Sequence, residues 1–297
     1  MDSHLPAGPK DKSEVGKPSR ATQLFIVWKK LRKSKLSVVG FGIVLFISMA
    51  ALLAPIIAPY DPEWTGRARR PPSMEHVFGT DGRGRDMLSL VMYGARVSIF
   101  IGLATVAIEL ILGVAIGMIA GYFGGMIDEI LMRITDVVLT LPTMMMLIVA
   151  ISMFSVRGVH VIILVMGLLG WPFLARVVRS EFLSIRETTF VEAARSMGAT
   201  SWRIIMRHIL PNILSSVIVI ATMDIPWYIF YEATLTFLGF GDPQSASWGV
   251  LLQLGYPKMQ HSWWIITFPG LALLFTSLGF NLFGDGLRNA LDVKVRE

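Results

Sequence analysis

Apolar residues along the chain gather into six runs, at 36–58, 97–120, 130–154, 159–175, 213–237 and 263–283. Each is long enough to cross about 30 Å of hydrocarbon as a helix. The pattern predicts an all-α integral membrane protein with six transmembrane helices. The first run is longer than the apolar core of a signal peptide and closes at Pro55 and Pro59, so it reads as an uncleaved span. Polar residues concentrate in the first 27 positions, in 59–96, in 176–211 and in 239–262.

The insertion at 176–211 carries its own helical punctuation. Thr189 followed by Glu192 is a capping-box spacing, in which the hydroxyl satisfies an early amide and the carboxylate reaches back. A short helix over 190–197 is expected. Ala193 and Ala194 favour helix and allow close approach of a partner, and Gly198 can adopt the left-handed conformation that ends it. Thr200 or Ser201 then caps a second helix. Trp202, Ile205, Met206 and Ile209 share one face of it, Arg203 and Arg207 lie on the other, and Pro211 marks the break before the fifth span.

Composition agrees with the apolar pattern. Of 297 residues 54% are hydrophobic and 16% charged, with a mean hydropathy of +0.61, too apolar for a soluble two-domain protein. The absence of cysteine excludes disulfides, thiolate metal sites and cysteine nucleophiles, and leaves the redox compartment open. A net charge of +6 does not point to nucleic acid, because the cations lie beside spans. Lys29, Lys30, Arg32, Lys33 and Lys35 surround the amino-terminal edge of the first span with Trp28, an interfacial anchor. With both termini cytoplasmic, nineteen of the 27 Lys and Arg residues lie inside. The exceptions cluster in the long first external loop, where the positive-inside rule weakens.

The expected organisation is therefore a disordered cytoplasmic tail (1–27), an anchor with the first helix (28–58), an external loop (59–96), a five-helix core (97–292) with a cytoplasmic loop at 176–211, and a short tail (293–297).

Gly113, Gly117 and Gly121 recur every four residues and predict a close helix–helix contact. Glu109 falls on the same stripe, and Asp224 sits mid-span beside Pro226. Intramembrane acids either line a polar path or make interhelical contacts, and both readings stand for these two. Asp136 and Arg133 are spaced as an i,i+3 pair, and the methionines at 144–146 read as adaptable filler. TDGRGRD (80–86) reads as a charged turn in which Asp81 and Asp86 pair with Arg83 and Arg85. Trp248, Trp263 and Trp264 suit interfacial anchoring, with contact to an external partner as the alternative.

No Gly-x-x-x-x-Gly-Lys-Ser/Thr, no Gly-x-Gly-x-x-Gly opening a helix, no His-Glu-x-x-His and no Gly-x-Ser-x-Gly occurs, so nucleotide-binding, zinc-protease and hydrolase readings lack residues.

The insertion as a whole, EAA, three residues, Gly, and a basic amphipathic run of eleven residues ending at Leu-Pro, resembles the EAA loop of the permease subunits of ABC importers. His208, where the general motif has Ile, is similar to the branch serving dipeptides, oligopeptides and nickel, which reads RHILPN. FGTDGRGRD (78–86), YGARVS (93–98), GYFGGMIDEILMR (121–133), EATLTFLGFG (232–241), SWG (247–249) and FNLFGDGLRNALD (280–292) continue the likeness in order, which spans most of 28–292. The first helix followed by the GTDxxGRD loop resembles the second permease of the pair in that branch.

The resemblance implies the type I importer permease fold and a non-catalytic subunit. It implies docking of Thr189, Phe190, Glu192, Ala193, Ala194, Met197 and Gly198 on a separate ATPase, supported by Arg203, Arg207, His208 and Pro211. It further implies a related second permease, two ATPase subunits that hold the ATP and Mg, and an extracytoplasmic solute-binding protein, with no cofactor on this chain. Rival readings are a proton-coupled secondary transporter using Glu109 and Asp224, and a membrane scaffold recruiting a soluble partner. The first would need inverted repeats, and none is evident.

Overall fold

A computed structural model describes residues 28–291, so the expected amino-terminal tail and the last residues lie outside the described part. Besides a helical stretch at 28–33, the described residues hold ten α-helical elements and no strand. In chain order they are α1 (Lys35–Ile57), α2 (Met87–Phe123), α3 (Gly125–Thr140), α4 (Thr143–Ser152), α5 (Val159–Arg186), α6 (Thr189–Ser196), α7 (Ser201–Ile204), α8 (Leu210–Phe237), α9 (Trp248–Gly255) and α10 (Trp264–Leu291). Five of the helical stretches are long and apolar enough to cross a membrane, and six spans result if α3 and α4 count together.

The third span departs from the single helix expected over 130–154. α3 and α4 meet at a 91° bend. Pro142 supplies the cause: a proline disfavours helical geometry in the residue before it, and Leu141 is extended at φ −86°, ψ 139°. Ion pairs strap α3 to α5. Arg179 grips Asp128 through both carboxylate oxygens, and Arg176 meets Asp136 at 2.6 Å. The expected Arg133–Asp136 pair is therefore not formed, because Asp136 is drawn to the neighbouring helix. Arg133 lies 3.9 Å from Glu129 on an exposed face.

The glycine stripe of α2 does what its spacing predicts. A Cβ on Gly113 would meet Leu174, one on Gly117 the Ala175 carbonyl and Val178, and one on Gly121 Phe182 and the Arg179 carbonyl. Each stripe position thus lets α5 approach backbone to backbone. α1 packs on α10 in the same manner, with Gly40 against Leu282 and Gly279 against Ile43. Pro55 lies inside α1 without ending it.

α2 starts ten residues before the apolar run because Asp86 caps it, accepting from the Ser89 amide at 2.8 Å and its hydroxyl at 2.9 Å. Asp86 also contacts His76 Nδ1 at 3.0 Å in a buried site, so it does not serve the arginines of its turn. Asp81 does: it binds Arg85 at 2.8 Å and accepts the amides of Arg83 and Arg85. Trp248 and Trp264 are buried and donate their indole N–H to the carbonyls of Val91 and Thr80 at 2.9 and 3.0 Å. They clamp the 60–86 loop and α9 onto the bundle, contrary to the interfacial role expected for them. Of the three tryptophans Trp263 alone is exposed.

Candidate functional site

The alternating course of the spans puts α6 and α7 at one end of the bundle and the loop before α2, together with α9, at the other. At the α6 end, Arg186 donates to the carbonyls of Gly121 and Tyr122 at 3.3 and 3.0 Å, closing α5 onto α2. The chain then turns through Thr188. This residue, and not Thr189, is the N-cap of α6, and its hydroxyl is spent on the Ile185 carbonyl at 2.6 Å. The expected capping box is absent. Thr189 already occupies the first helical position, and the helix runs one residue earlier than the spacing suggested.

The carboxyl end of α6 follows the sequence closely. Gly198 has φ +81°, its amide donates to Arg195, and the amide of Ala199 donates to Ala194, a Schellman closure. A Cβ at Gly198 would meet nothing within 4 Å, so glycine is needed there for its conformation and not for space.

α6 has two faces. Val191 and Ala194 are buried, Val191 within a cluster that includes Phe182, Ile204, Ile209 and Ile213. Thr189, Phe190, Glu192, Ala193 and Met197 are exposed, Phe190 by 45% and Met197 by 82%. Of the two alanines expected to admit a partner, Ala193 faces outward and Ala194 is turned into the chain's own core.

Beyond Gly198, Thr200 caps α7 by accepting from the Arg203 amide at 3.4 Å. The helix continues without a break through a π turn at Ile205–Ile209 into α8. Pro211 therefore does not separate two helices. Its ring would clash with the carbonyl four residues back in a regular helix, and the wider π turn immediately before it relieves that conflict. Asn212 donates its side-chain amide to the His208 carbonyl at 2.5 Å, serving a backbone group of the irregular turn. The π turn also rotates the faces: Ile204, Ile205 and Ile209 are buried, whereas Trp202 is 65% exposed and Met206 is exposed beside Arg203 and Arg207. The single apolar face drawn for a regular helix is corrected accordingly.

Deep between the spans, Glu109 of α2 and Asp224 of α8 line one cavity of about 270 Å³. The α3–α4 bend supplies one wall through Leu139, Thr143 and Met146, and α8 supplies Trp227, Tyr228 and Tyr231. The Tyr228 side chain reaches across to α5, where its hydroxyl occupies the space a Cβ on Gly170 would need, and it lines the cavity together with Glu109. Glu109 is only 2% exposed, and its Oε2, like Asp224 Oδ2, has no hydrogen-bond partner. Phe173 and Asp224 also border a second cavity of about 680 Å³ toward the α6 end, lined by Glu181, Asn212, Ser216 and Arg288.

Sequence reasoning missed Glu181, which lies beyond the apolar run it assigned to α5 and accepts from Ser216 at 3.1 Å. It also passed over Glu232, although the rule that marks Glu109 applies to it equally. Glu232 is fully buried and accepts from Thr236 and Ser98 at 3.0 and 3.4 Å, an interhelical contact joining α2 to α8.

These features define a class: a polytopic helical membrane subunit with a polar interior and a rigid short helix presented at one end. The chain belongs to the binding-protein-dependent transport permeases, the membrane subunits of ABC importers. The model of that family, described as the inner membrane component of binding-protein-dependent transport systems, matches residues 113–297. Residues 22–72 match a second one, the N-terminal TM domain of oligopeptide transport permease C.

Similar proteins include the oligopeptide transport system permease protein OppC of Bacillus subtilis, 40% identical over 278 residues and covering 91% of each chain. The dipeptide transport system permease protein DppC of the same organism is 38% identical, covering 91% of this chain and 85% of its own. In solved structures, a chain of the MetNI methionine ABC transporter superposes with a TM-score of 0.58 at 21% identity, covering 69% of this chain and 97% of its own. The fold is thus the type I importer permease fold. The family supports ATP-driven import and not the secondary-transporter or scaffold readings.

Proposed function

We propose that the chain is the second permease of a heterodimeric importer for peptides or similar small solutes, driven by two ATPase subunits, one of which docks on α6. The observation that carries this is the construction of α6: Val191 and Ala194 lock it to the core, while Phe190, Glu192, Ala193 and Met197 face outward. A helix so held cannot shift alone, and force applied to its outer face passes to α5 and α8. ATP and Mg are bound by the partner ATPases, and this chain performs no covalent chemistry.

The α6 end is cytoplasmic, as are both termini, and the opposite end receives solute from an extracytoplasmic binding protein. Arg203, Arg207 and His208 follow the docking helix, and Pro211 sits just past the π turn that joins α7 to α8. Glu109 and Asp224 line the solute path. The names of the 40% and 38% identical relatives favour peptides as cargo.

Glu192→Lys and Gly198→Trp test the coupling in vesicles holding the complete importer. Both variants should insert and assemble, yet lose ATP-driven uptake and binding-protein-stimulated ATPase by about ten-fold or more. Full activity in both would remove α6 from the coupling role.

A further inference from the structure

The cavity beneath the α3–α4 bend has a chemistry that an unselective passage would not need. Two carboxyl groups from distant parts of the sequence meet there, each with an oxygen lacking a partner, and one of them is 2% exposed. Carboxyl oxygens left without partners within the span of a membrane are costly, and a cation that donates hydrogen bonds to them relieves that cost. The rest of the wall decides which kind. Trp227, Tyr228, Tyr231 and Met146 offer aromatic faces and a thioether, not the six or more oxygens a hard metal ion demands. Among the described residues no group of three metal-ligating side chains occurs either. Carboxylates combined with aromatic faces fit an organic ammonium, which donates charge-assisted hydrogen bonds on one side and makes cation–π contact on the other.

We propose that Glu109 and Asp224, with Trp227, Tyr228 and Tyr231, form an ammonium-binding station that holds the protonated amino group of the solute in transit. The inference rests on the reading of this chain as a solute path and names what the path recognises. The larger cavity beyond Phe173 and Asp224 gives the remainder of the solute room toward the α6 end. Tyr228 is the positioning residue: its ring lines the cavity beside Glu109 because Gly170 leaves room for its hydroxyl.

The test uses the assembled importer in nanodiscs at pH 7, with fluorine-labelled tryptophan and the Trp227 resonance assigned by Trp227→Phe. Alanyl-alaninamide, which carries an ammonium, should shift that resonance, and N-acetyl-alanyl-alaninamide should not. Glu109→Gln and Asp224→Asn should each weaken the response about ten-fold, while Asp224→Glu, which keeps the charge, restores it. A wild-type resonance that ignores the amine, or answers both probes alike, overturns the station, as does a response unchanged in both neutral variants. Uptake is the separate arm. Wild-type importer that moves no peptide would sink the peptide reading while leaving an amine response in place.

Discussion

Gly117 shows how much one missing methyl group decides. A Cβ there would sit 2.4 Å from the Ala175 carbonyl oxygen, a backbone atom that cannot swing aside. Gly117→Val should therefore push α2 from α5 and destabilise the protein by about 1–3 kcal/mol. Thermal unfolding in detergent checks this, and Gly42→Ala, where a Cβ meets nothing within 4 Å, is the silent control. Single residues also mark where local reading falters. Thr188 and Thr189 are both acceptable caps by type, and the choice fell on Thr188 because the turn out of α5 fixes where helical geometry resumes. Trp248 and Trp264 fit an interface by composition. Only the packed loop shows that their N–H groups have carbonyl partners inside.

At the scale of elements, α3 is the least self-sufficient. It leaves the bundle at the Pro142 bend and is held to α5 by Arg179–Asp128 and Arg176–Asp136. These pairs are partly exposed, so each contributes about 1 kcal/mol or less. Asp128→Arg alone should loosen α3 through like-charge contact with Arg179, and the exchange Asp128→Arg with Arg179→Asp should restore it. Protease susceptibility near 125–140 in the single and double variants measures the coupling, and an additive result would deny the strap. Pro142 stands in the middle of that stretch, yet the apolar run across it reads as one span. Hydropathy records which residues tolerate lipid, not the direction in which the helix travels. In the same way α5 and α10 run beyond their apolar runs, because backbone hydrogen bonding continues into water where hydropathy stops.

For the whole molecule, topology is the property open to the simplest test. The chain has no cysteine, so single introduced cysteines report without background. Ser196→Cys, on exposed α6, should react with a membrane-impermeant maleimide only after the cells are permeabilised, whereas Glu63→Cys, in the loop before α2, should react in intact cells. The reverse labelling would invert the assignment of docking and receiving ends.

The linear sequence determined the all-helical membrane character, the number of spans, the α2 glycine seam and the glycine closure of α6. Each follows from hydropathy, short-range periodicity or backbone conformation, and these act over a turn or two of chain. Tertiary structure decided the 91° turn, the inward aspect of Ala194, the helix that carries on through Pro211, and the meeting of Glu109 with Asp224. Those depend on which helix lies next to which, and a contact between residues far apart in the chain exists only once the spans have packed.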